Sequence, residues 1–586
     1  MVKRMSQEWE PVKGEIMTRW VNDVNPEEPL PEYPRPQLER KEWLNLNGLW
    51  NYTIQKKSRK EVGSYDGNIL VPFPVESALS GVKRKLTHKQ RLWYRRFFSV
   101  PKEWNGKRIL LHFGAVDWEA SVWINNREVG NHKGGYVPFS FDITDFLKRS
   151  GENELIVSVW DPTNKGGVER GKQTLKPRFI KYTAVSGIWQ TVWLEPVSDS
   201  YIKSLKMVPD IDNNKLDFNA DVFNSDAGDA LEITVLDEKT EISTIKGNPN
   251  KEISIEVPNP KLWNSNNPFL YDLSIKLVRN EQVLDEVSSY FGMRKISVME
   301  DDNGVKRLAL NNEILFQYGT LDQGYWPDGL YTAPTDDALL YDIEITRKLG
   351  FNMIRKHVKV EPARWYYHCD KMGMIVWQDM PNGGKMTLLR MVVNMIFKRE
   401  ENRSKTNFYN ELEEMIDMLY NYPCIIVWVP FNEGWGQFNT EQTTNMVKNQ
   451  DPSRLVNEAS GWYNRGSGDI CDCHKYVGPC YPKDVQERVA VCGEFGGLGF
   501  KIDEHMWNIK IKFVYKKFET IEDMTSLYEY LITKLKDFKE KGLSAGIYTQ
   551  ITDVEGEVNG LLTYDREVVK MNLEKIREIN LSAIHD

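Results

Sequence analysis

The chain has 586 residues and a formal net charge of -8, with 41% hydrophobic and 27% charged residues. This length is enough for roughly three or four domains with substantial cores. The mild negative charge excludes a basic surface for nucleic acid and a polybasic patch for a membrane, and no apolar run approaches the roughly 20 residues that cross a bilayer.

Residues 1–40 read as an irregular lead. Five prolines lie between positions 26 and 36, too many for a helix or a central strand. Lys3 and Arg4 are not followed by an apolar segment, so a secretory leader is either absent or has been removed. The compartment stays open: it is the cytoplasm for the chain as given, and the periplasm or the exterior if a leader was removed.

Residues 41–198 lack helical periodicity and show many short alternating segments. Leu92–Phe98 and Glu154–Trp160 are examples, with Gly and Asn turns between such runs. The pattern indicates a β-sandwich. Its tryptophans either stack on sugar rings or fill the core, and we favour the core.

Residues 199–300 form a second all-β unit. Glu252–Val257 and Tyr271–Val278 alternate cleanly between apolar and polar residues. A length of about 100 residues suits an immunoglobulin-like β-sandwich. We find no chemical constellation here and predict a rigid spacer.

From residue 301 to 586, strands alternate with helical patterns, which indicates a parallel α/β sheet. The predicted strands are Leu315–Gly319, Phe351–Lys356, Met374–Gln378, Cys424–Pro430, Arg454–Ala459, Gly468–Cys473, Ala490–Glu494 and Ala545–Gln550. The predicted helices include Asp336–Leu349, Pro362–Met372 and Asn410–Tyr420, and the apolar stretch Met386–Phe397 is either a buried helix or a lid. Eight strands in about 280 residues predict a (β/α)8 TIM barrel.

Two of these strands lead into a glutamate beside glycines. Glu433 follows the fourth strand in Phe431-Asn432-Glu433-Gly434, and Glu494 ends the seventh in Gly493-Glu494-Phe495-Gly496. Each glutamate could simply cap a helix or pair with an arginine. Together, at the strand ends where barrel active sites lie, they are the two carboxylates that glycoside hydrolysis requires.

Other polar and aromatic residues fall at the same strand ends. The candidate substrate-binding residues are Asp322, Arg355, His357, Asp379, Asn432, Trp462, His474, Tyr476, Tyr548 and Gln550. Any one of them could be a structural hydrogen-bonding group. Their convergence on one rim indicates a polar, hydroxyl-rich ligand such as a sugar.

The six cysteines lie between positions 369 and 492. We expect buried thiols, because a chain of this size needs no disulfide framework. Cys471-Asp472-Cys473-His474 has some likeness to a metal clip, but the spacing is not usual for zinc and no second pair follows. We therefore predict no metal at this motif.

Nearly the whole chain resembles glycoside hydrolase family 2, the family of β-galactosidases, β-glucuronidases and β-mannosidases. The resemblance rests on Leu46-Asn47-Gly48-Leu49-Trp50, Phe113-Gly114-Ala115-Val116-Asp117-Trp118, Gly187-Ile188-Trp189 and the two glutamate motifs. It implies an N-terminal jelly-roll β-sandwich of the sugar-binding type, an immunoglobulin-like domain and a catalytic barrel. It also implies a retaining β-glycosidase with Glu494 as nucleophile, Glu433 as acid/base, Asn432 on the sugar 2-hydroxyl and Tyr476 beside the nucleophile.

Three departures from the family narrow the expected substrate. Arg355-Lys356-His357 shifts the histidine of an Arg-x-x-His run by one position, and no acidic and His cluster for magnesium surrounds Glu433. The Asn-x-Lys carboxylate clamp of β-glucuronidases is replaced by Asn559-Gly560-Leu561, with Glu555 and Glu557 nearby, where an anionic sugar would be poorly paired.

We therefore expect an exo-acting β-glycosidase of neutral sugars, β-galactosides first, with no cofactor and no metal. The alternatives are another sugar (a β-mannoside, an α-L-arabinopyranoside or a β-glucuronide) and a non-catalytic carbohydrate-binding protein. The oligomeric state stays open.

Overall fold

The computed structural model describes residues 9–14, 16–148, 150–383, 402–507 and 513–585. Two β-sandwiches precede a parallel barrel, which confirms the predicted fold class. In the described part of the chain, no helix has both the length and the apolar character that a membrane span requires. The apolar stretch Met386–Phe397 lies outside the described residues.

The first sandwich packs a six-stranded antiparallel sheet on a four-stranded one. The six strands, in spatial order, are Gly67–Val71, Gly48–Lys56, Gln90–Phe98, Asn153–Trp160, Glu119–Ile124 and Arg127–Lys133. The four are Leu44–Asn45, Val192–Val197, Arg108–Phe113 and Phe139–Asp142. Trp50 and Trp104 lie in the core between the sheets, as the sequence predicted for its tryptophans.

The second sandwich is also antiparallel. One sheet contains Tyr201–Asp210, Lys215–Phe223 and Ile253–Glu256, and the other contains Thr240–Gly247, Asp229–Asp237, Tyr271–Arg279 and Gln282–Phe291. Alternate residues of its strands are buried, as in Lys215–Phe223, because only one face of each sheet meets the core.

A small sheet of Ile296–Glu300, Lys306–Leu310 and Glu313–Ile314 leads into the barrel. The barrel strands are β1 (Gln317–Asp322), β2 (Met353–Lys356), β3 (Ile375–Asp379), β4 (Ile425–Val429), β5 (Leu455–Val456), β6 (Ile470–Lys475), β7 (Val489–Gly496) and β8 (Leu543–Thr549). β1 begins two residues later than predicted, because the Leu315 amide donates to Leu308 O of the small sheet.

The eight strands pair in parallel in the order β5-β4-β3-β2-β1-β8-β7-β6. The remaining gap between β5 and β6 is bridged by Asp469: its amide donates to Val456 O at 2.9 Å, and its Oδ2 accepts from the Val456 amide at 2.8 Å. The residues of β4 are buried throughout, since helices cover the outside of the barrel and side chains fill the inside.

In the described part of the barrel domain, six helices flank the strands: α1 (Asp336–Lys348), α2 (Ala363–Met372), α3 (Asn402–Leu419), α4 (Thr440–Gln450), α5 (Ile521–Glu540) and α6 (Leu573–His585). Thr335 caps α1 by accepting a hydrogen bond from the Ala338 amide at 3.1 Å. Gly373, with φ of 66°, ends α2 in the left-handed conformation that glycine tolerates best. α3 begins eight residues before its predicted start at Asn410.

The lead contacts all three domains. Thr18 Oγ1 donates to Asp328 of the barrel at 2.6 Å. Arg40 donates to Glu195 of the first sandwich at 3.0 Å and to Asp285 of the second at 2.8 Å. These buried charge-assisted hydrogen bonds connect the domains through the lead.

The expectation of free thiols is wrong for two cysteines. Cys473 and Cys480 form a disulfide at the end of β6, across a turn that brings the two residues together. Cys369, Cys424, Cys471 and Cys492 are free and buried.

Candidate active site

Glu433 and Glu494 face each other at the carboxyl ends of the barrel strands. Glu494 lies within β7, while Glu433 lies four residues beyond the end of β4. Glu433 has a left-handed φ of 51°, and its amide donates to Ser460 O at 2.9 Å, which attaches this turn to the segment after β5. Carboxylate oxygens of the two glutamates lie within 4.8 Å of one another.

His474 lies between the two carboxylates. Its Nδ1 is 3.0 Å from Glu433 Oε1 and 3.6 Å from Glu494 Oε1. Its Nε2 is 2.8 Å from Ser460 Oγ. His474 is 7% exposed, so these partners replace water around the ring.

The hydrogen bonds around Ser460 indicate that His474 Nε2 carries a proton. Asp472 accepts from the Gly493 amide at 2.6 Å and from Ser460 Oγ at 2.5 Å. Because the Ser460 proton points to Asp472, the Ser460 oxygen accepts from His474 Nε2–H, while Nδ1 faces Glu433 Oε1. Burial lowers the pKa of His474, but the negative charges of Glu494, Glu433 and Asp472 outweigh burial and raise this pKa.

Glu494 is held in its ionised form. Tyr476 donates its hydroxyl proton to Glu494 Oε2, and Arg355 Nη1 donates to Oε1 at 3.2 Å. Burial would raise the pKa of Glu494, but the charges of His474, His357 and Arg355 and the Tyr476 hydrogen bond lower it to about 2. An ionised carboxylate at neutral pH is the form that attacks as a nucleophile.

Arg355 organises the floor of the site. Its Nε and Nη2 donate to the two Asp379 oxygens at 2.9 Å each, a bidentate pair. Nη2 also donates to Asn432 Oδ1 at 2.9 Å. With its carbonyl oxygen occupied, Asn432 has only its NH2 group left to offer, and no described residue accepts from that group. His357 Nδ1 lies 2.9 Å from Asp379 Oδ2, so the displaced histidine still contacts the site.

Two predicted site residues lie elsewhere, and those predictions are wrong. Asp322 pairs with Lys356 Nζ at 2.5 Å, and that ammonium lies over Trp365 of α2, on the helix side of the barrel. Tyr548 packs edge-on to Tyr528 of α5 in the core between β8 and that helix. Asp322 is the last residue of β1 and Tyr548 is the second-last residue of β8, but their side chains face away from the mouth.

Two more predicted residues lie at the margin. Gln550 is fully buried and donates to Asn559 Oδ1 at 2.9 Å, so it supports the segment after β8. Trp462 is 44% exposed on the segment after β5, and its predicted contact with sugar stays a prediction.

The fold brings several further residues to the site that were not predicted from the sequence. Tyr515 stacks on Tyr476 with ring centroids 3.7 Å apart. Tyr182 and Lys181 come from the first sandwich: Tyr182 donates to Glu557, and Lys181 lies over Trp435. Asp472 could have been found from the sequence, because it lies two residues before His474 on β6 and so shares its face of the strand. By contrast, no local pattern in residues 161–184 indicates contact with the barrel.

Comparison with known proteins places this architecture in a class. Residues 35–195, 200–294 and 332–488 match the models for the sugar-binding, central and TIM-barrel domains of glycosyl hydrolases family 2. A β-galactosidase of Thermoanaerobacter pseudethanolicus is 28% identical over 58% of this chain and 44% of its own length. A β-glucuronidase of Bacteroides fragilis is 25% identical over 71% of this chain and 60% of its own length. The chain thus spans about half the length of these relatives.

Solved structures share the fold. A β-glucuronidase of Ruminococcus gnavus in complex with D-glucuronic acid covers 94% of this chain and 99% of its own, with a TM-score of 0.75 at 18% identity. The β-glucuronidase of Dictyoglomus thermophilum covers 93% of this chain and 98% of its own, with a TM-score of 0.73 at 19% identity. Two sandwiches and a barrel with paired glutamates at its mouth define the architecture of a multidomain glycoside hydrolase. The chain belongs to glycosyl hydrolase family 2.

Proposed function

We propose that this protein is a retaining β-glycosidase that removes a terminal sugar from an oligo- or polysaccharide. The observation that carries the proposal is the separation of Glu433 and Glu494, whose oxygens lie within 4.8 Å. Retaining enzymes place the two carboxyl groups about 5–5.5 Å apart, whereas inverting enzymes leave room for a water at about 6.5–9.5 Å.

In the first step an oxygen of ionised Glu494 attacks the anomeric carbon. The bond from that carbon to the leaving oxygen breaks, and Glu433 transfers its proton to that oxygen. Water then attacks the glycosyl–enzyme ester at the same carbon, Glu433 takes a proton from the water, and the bond to Glu494 breaks. His474 positions Glu433, because Nδ1–H can donate to one oxygen whether or not the other holds the proton.

For the sugar we propose a β-galactoside framework first. Asn559 donates to Glu557 Oε1 at 3.1 Å and accepts from Gln550. The segment after β8 therefore holds a buried amide and a buried carboxylate that are bonded within the chain, and neither supplies the positive charge that an anionic sugar would need. The named relatives include β-galactosidases and β-glucuronidases, so the assay must separate these sugars.

The test is a panel of nitrophenyl β-galactoside, β-glucuronide, β-mannoside and α-L-arabinopyranoside, each assayed with and without a chelator. We expect release that is insensitive to the chelator and is abolished in Glu494→Ala. Loss of activity with the chelator would contradict the metal-free mechanism. A non-catalytic binding protein would release nothing from any glycoside and would retain sugar affinity in Glu494→Ala.

A further inference from the structure

The first sandwich extends a segment, residues 161–184, onto the mouth of the barrel. Gly171 has φ of 54°, and a Cβ there would lie 2.4 Å from Val358 O, just after β2. Glu169 accepts a hydrogen bond from the Gly383 amide, in the segment after β3. The segment is thus seated directly against the loops that surround Glu494.

Lys172 follows Gly171 and is 6% exposed. Its Nζ lies 5.6 Å from the centroid of Tyr182, and no carboxylate among the described residues lies within ion-pair distance of it. The preceding residue, Gly171, packs on Val358, which follows His357, so Lys172 lies on the nucleophile side of the site. Consistent with this placement, burial and then the charge of Lys172 lower the pKa of His357.

Lys181 lies on the other side, next to the acid/base. Its Nζ is 3.4 Å from the ring centroid of Trp435, two residues after Glu433. Burial and the charges of Arg170 and Lys172 lower the pKa of Lys181, and Glu433 opposes them. Trp435 is 7% exposed, and its Nε1–H has no acceptor in the described part of the chain.

The other buried lysines of the described chain differ from Lys172. Lys356 has Asp322 at 2.5 Å and Glu361 at 2.8 Å, Lys359 has Glu361 at 2.8 Å, and Lys570 has Asp553 at 2.6 Å. A buried ammonium without a counter-ion is costly. Among the described residues, Lys172 is therefore the buried lysine placed to take its counter-ion from a ligand.

We propose that Lys172 and Lys181 form an anion subsite, contributed by the first sandwich, that binds a carboxylate or sulfate group on the terminal sugar of the substrate. This inference rests on the proposed glycosidase function and deepens it. The expectation of a neutral sugar took account of the barrel alone, where Leu561 replaces a lysine. The two cations from residues 161–184 supply the positive charge that the barrel lacks.

The test uses pairs of substrates that differ in one charge. The nitrophenyl β-glucuronide is compared with the β-glucoside, and the β-galacturonide and the 6-sulfo-β-galactoside are compared with the β-galactoside. We expect the charged member of at least one pair to have the higher kcat/KM, and the pair that responds identifies the carboxylate or the sulfate. The ratio of kcat/KM for the charged substrate to kcat/KM for its neutral partner should fall by about 10- to 100-fold in Lys172→Met and in Lys181→Met. Lys172→Arg, which keeps the positive charge, should retain part of this ratio. Lys176→Met, at an exposed lysine of the same segment, is the matched control.

The outcomes separate the two proposals. Turnover that prefers the neutral members, or a charge preference that survives both substitutions, would overturn the anion subsite and leave the glycosidase intact. An equal loss on both members in Lys181→Met, with a shifted pH profile, would assign Lys181 to Glu433 instead. If no glycoside is turned over, calorimetric titration with glucuronate and glucose still decides: tighter binding of glucuronate that is lost in Lys172→Met supports the subsite, and equal binding contradicts it.

Discussion

His474 Nδ1 lies 3.0 Å from Glu433 Oε1, and the same nitrogen lies 3.6 Å from Glu494. One buried imidazole therefore contacts both carboxylates that the proposed reaction uses. The charged partners of Glu494 keep that carboxylate ionised, while His474 Nδ1 contacts one oxygen of Glu433.

Substitution of His474 should change the acid limb of the pH profile. Among the groups that lower the pKa of Glu494, the charge of His474 is the largest, followed by His357 and Arg355, against the opposing effect of burial. In His474→Asn that pKa rises, so kcat/KM should begin to fall at a higher pH than in the unmodified protein. The measurement is kcat/KM between pH 4 and 8, with activity after return to pH 7 as the control for unfolding. An unchanged acid limb would contradict the role of His474.

Tyr476, just after β6, and Tyr548, near the end of β8, provide a matched pair. Tyr476→Phe removes the hydroxyl that donates to Glu494, and a hydrogen bond to a charged group of this kind is worth about 10- to 100-fold in rate. Tyr548→Phe alters the core against Tyr528 and should change kcat/KM by less than about 3-fold. Steady-state kinetics on the best glycoside compares the two variants. A larger loss in Tyr548→Phe would return Tyr548 to the site.

Stability should decline in acid through Glu494. Its pKa is lowered from 4.5 to about 2 in the folded protein. A lowered carboxyl pKa contributes stability that is present above about pH 4.5 and is lost as the pH falls toward 2, on the order of 3 kcal/mol for this shift. Thermal unfolding from pH 7 to pH 3 should show a shallower decline for Glu494→Gln than for the unmodified protein. If the melting temperatures of the two proteins fell in parallel with pH, the partners of Glu494 would not stabilise the folded state through its ionised form.

The disulfide Cys473–Cys480 should stabilise the end of β6, which contains His474 and is followed by Tyr476. The two cysteines are seven residues apart, and closing a loop of this size contributes about 2.5 kcal/mol in the chain-entropy model. Reductant should lower the melting temperature of the unmodified protein. The variant carrying both Cys473→Ser and Cys480→Ser should start at the lower value and not respond to reductant. If reductant lowered the melting temperature of that variant, a different pair of cysteines would form the disulfide.

The sequence was sufficient for the barrel and its two glutamates because each signal is local. A buried β-branched strand such as Ile425–Val429 is recognisable by itself, and a glutamate after it falls at the mouth by topology alone. Whether a side chain at a strand end faces the mouth or the helices depends on packing between distant residues, which the local sequence does not show. Asp322 and Asp379 both end strands, yet Asp322 pairs with Lys356 on the helix side, while Asp379 faces Arg355.

The contribution of the first sandwich could not be read from the sequence. The proposed role of Lys172 depends on the packing of Gly171 on Val358, a contact between residues far apart in the chain. The Cys473–Cys480 pair was missed for a related reason, since the turn after β6 that joins the two residues has no distinctive pattern. Local periodicity determines elements, whereas these contacts depend on how domains and turns pack.

The most direct test of the proposed mechanism is to trap the covalent intermediate. The protein is incubated with a 2,4-dinitrophenyl 2-deoxy-2-fluoro-β-glycoside of its best sugar, and the labelled peptide is mapped by mass spectrometry. We predict one glycosyl adduct on Glu494, with release of one dinitrophenolate per protein molecule. An adduct on Glu433, or hydrolysis with no adduct and an α-configured first product, would contradict the double displacement through Glu494.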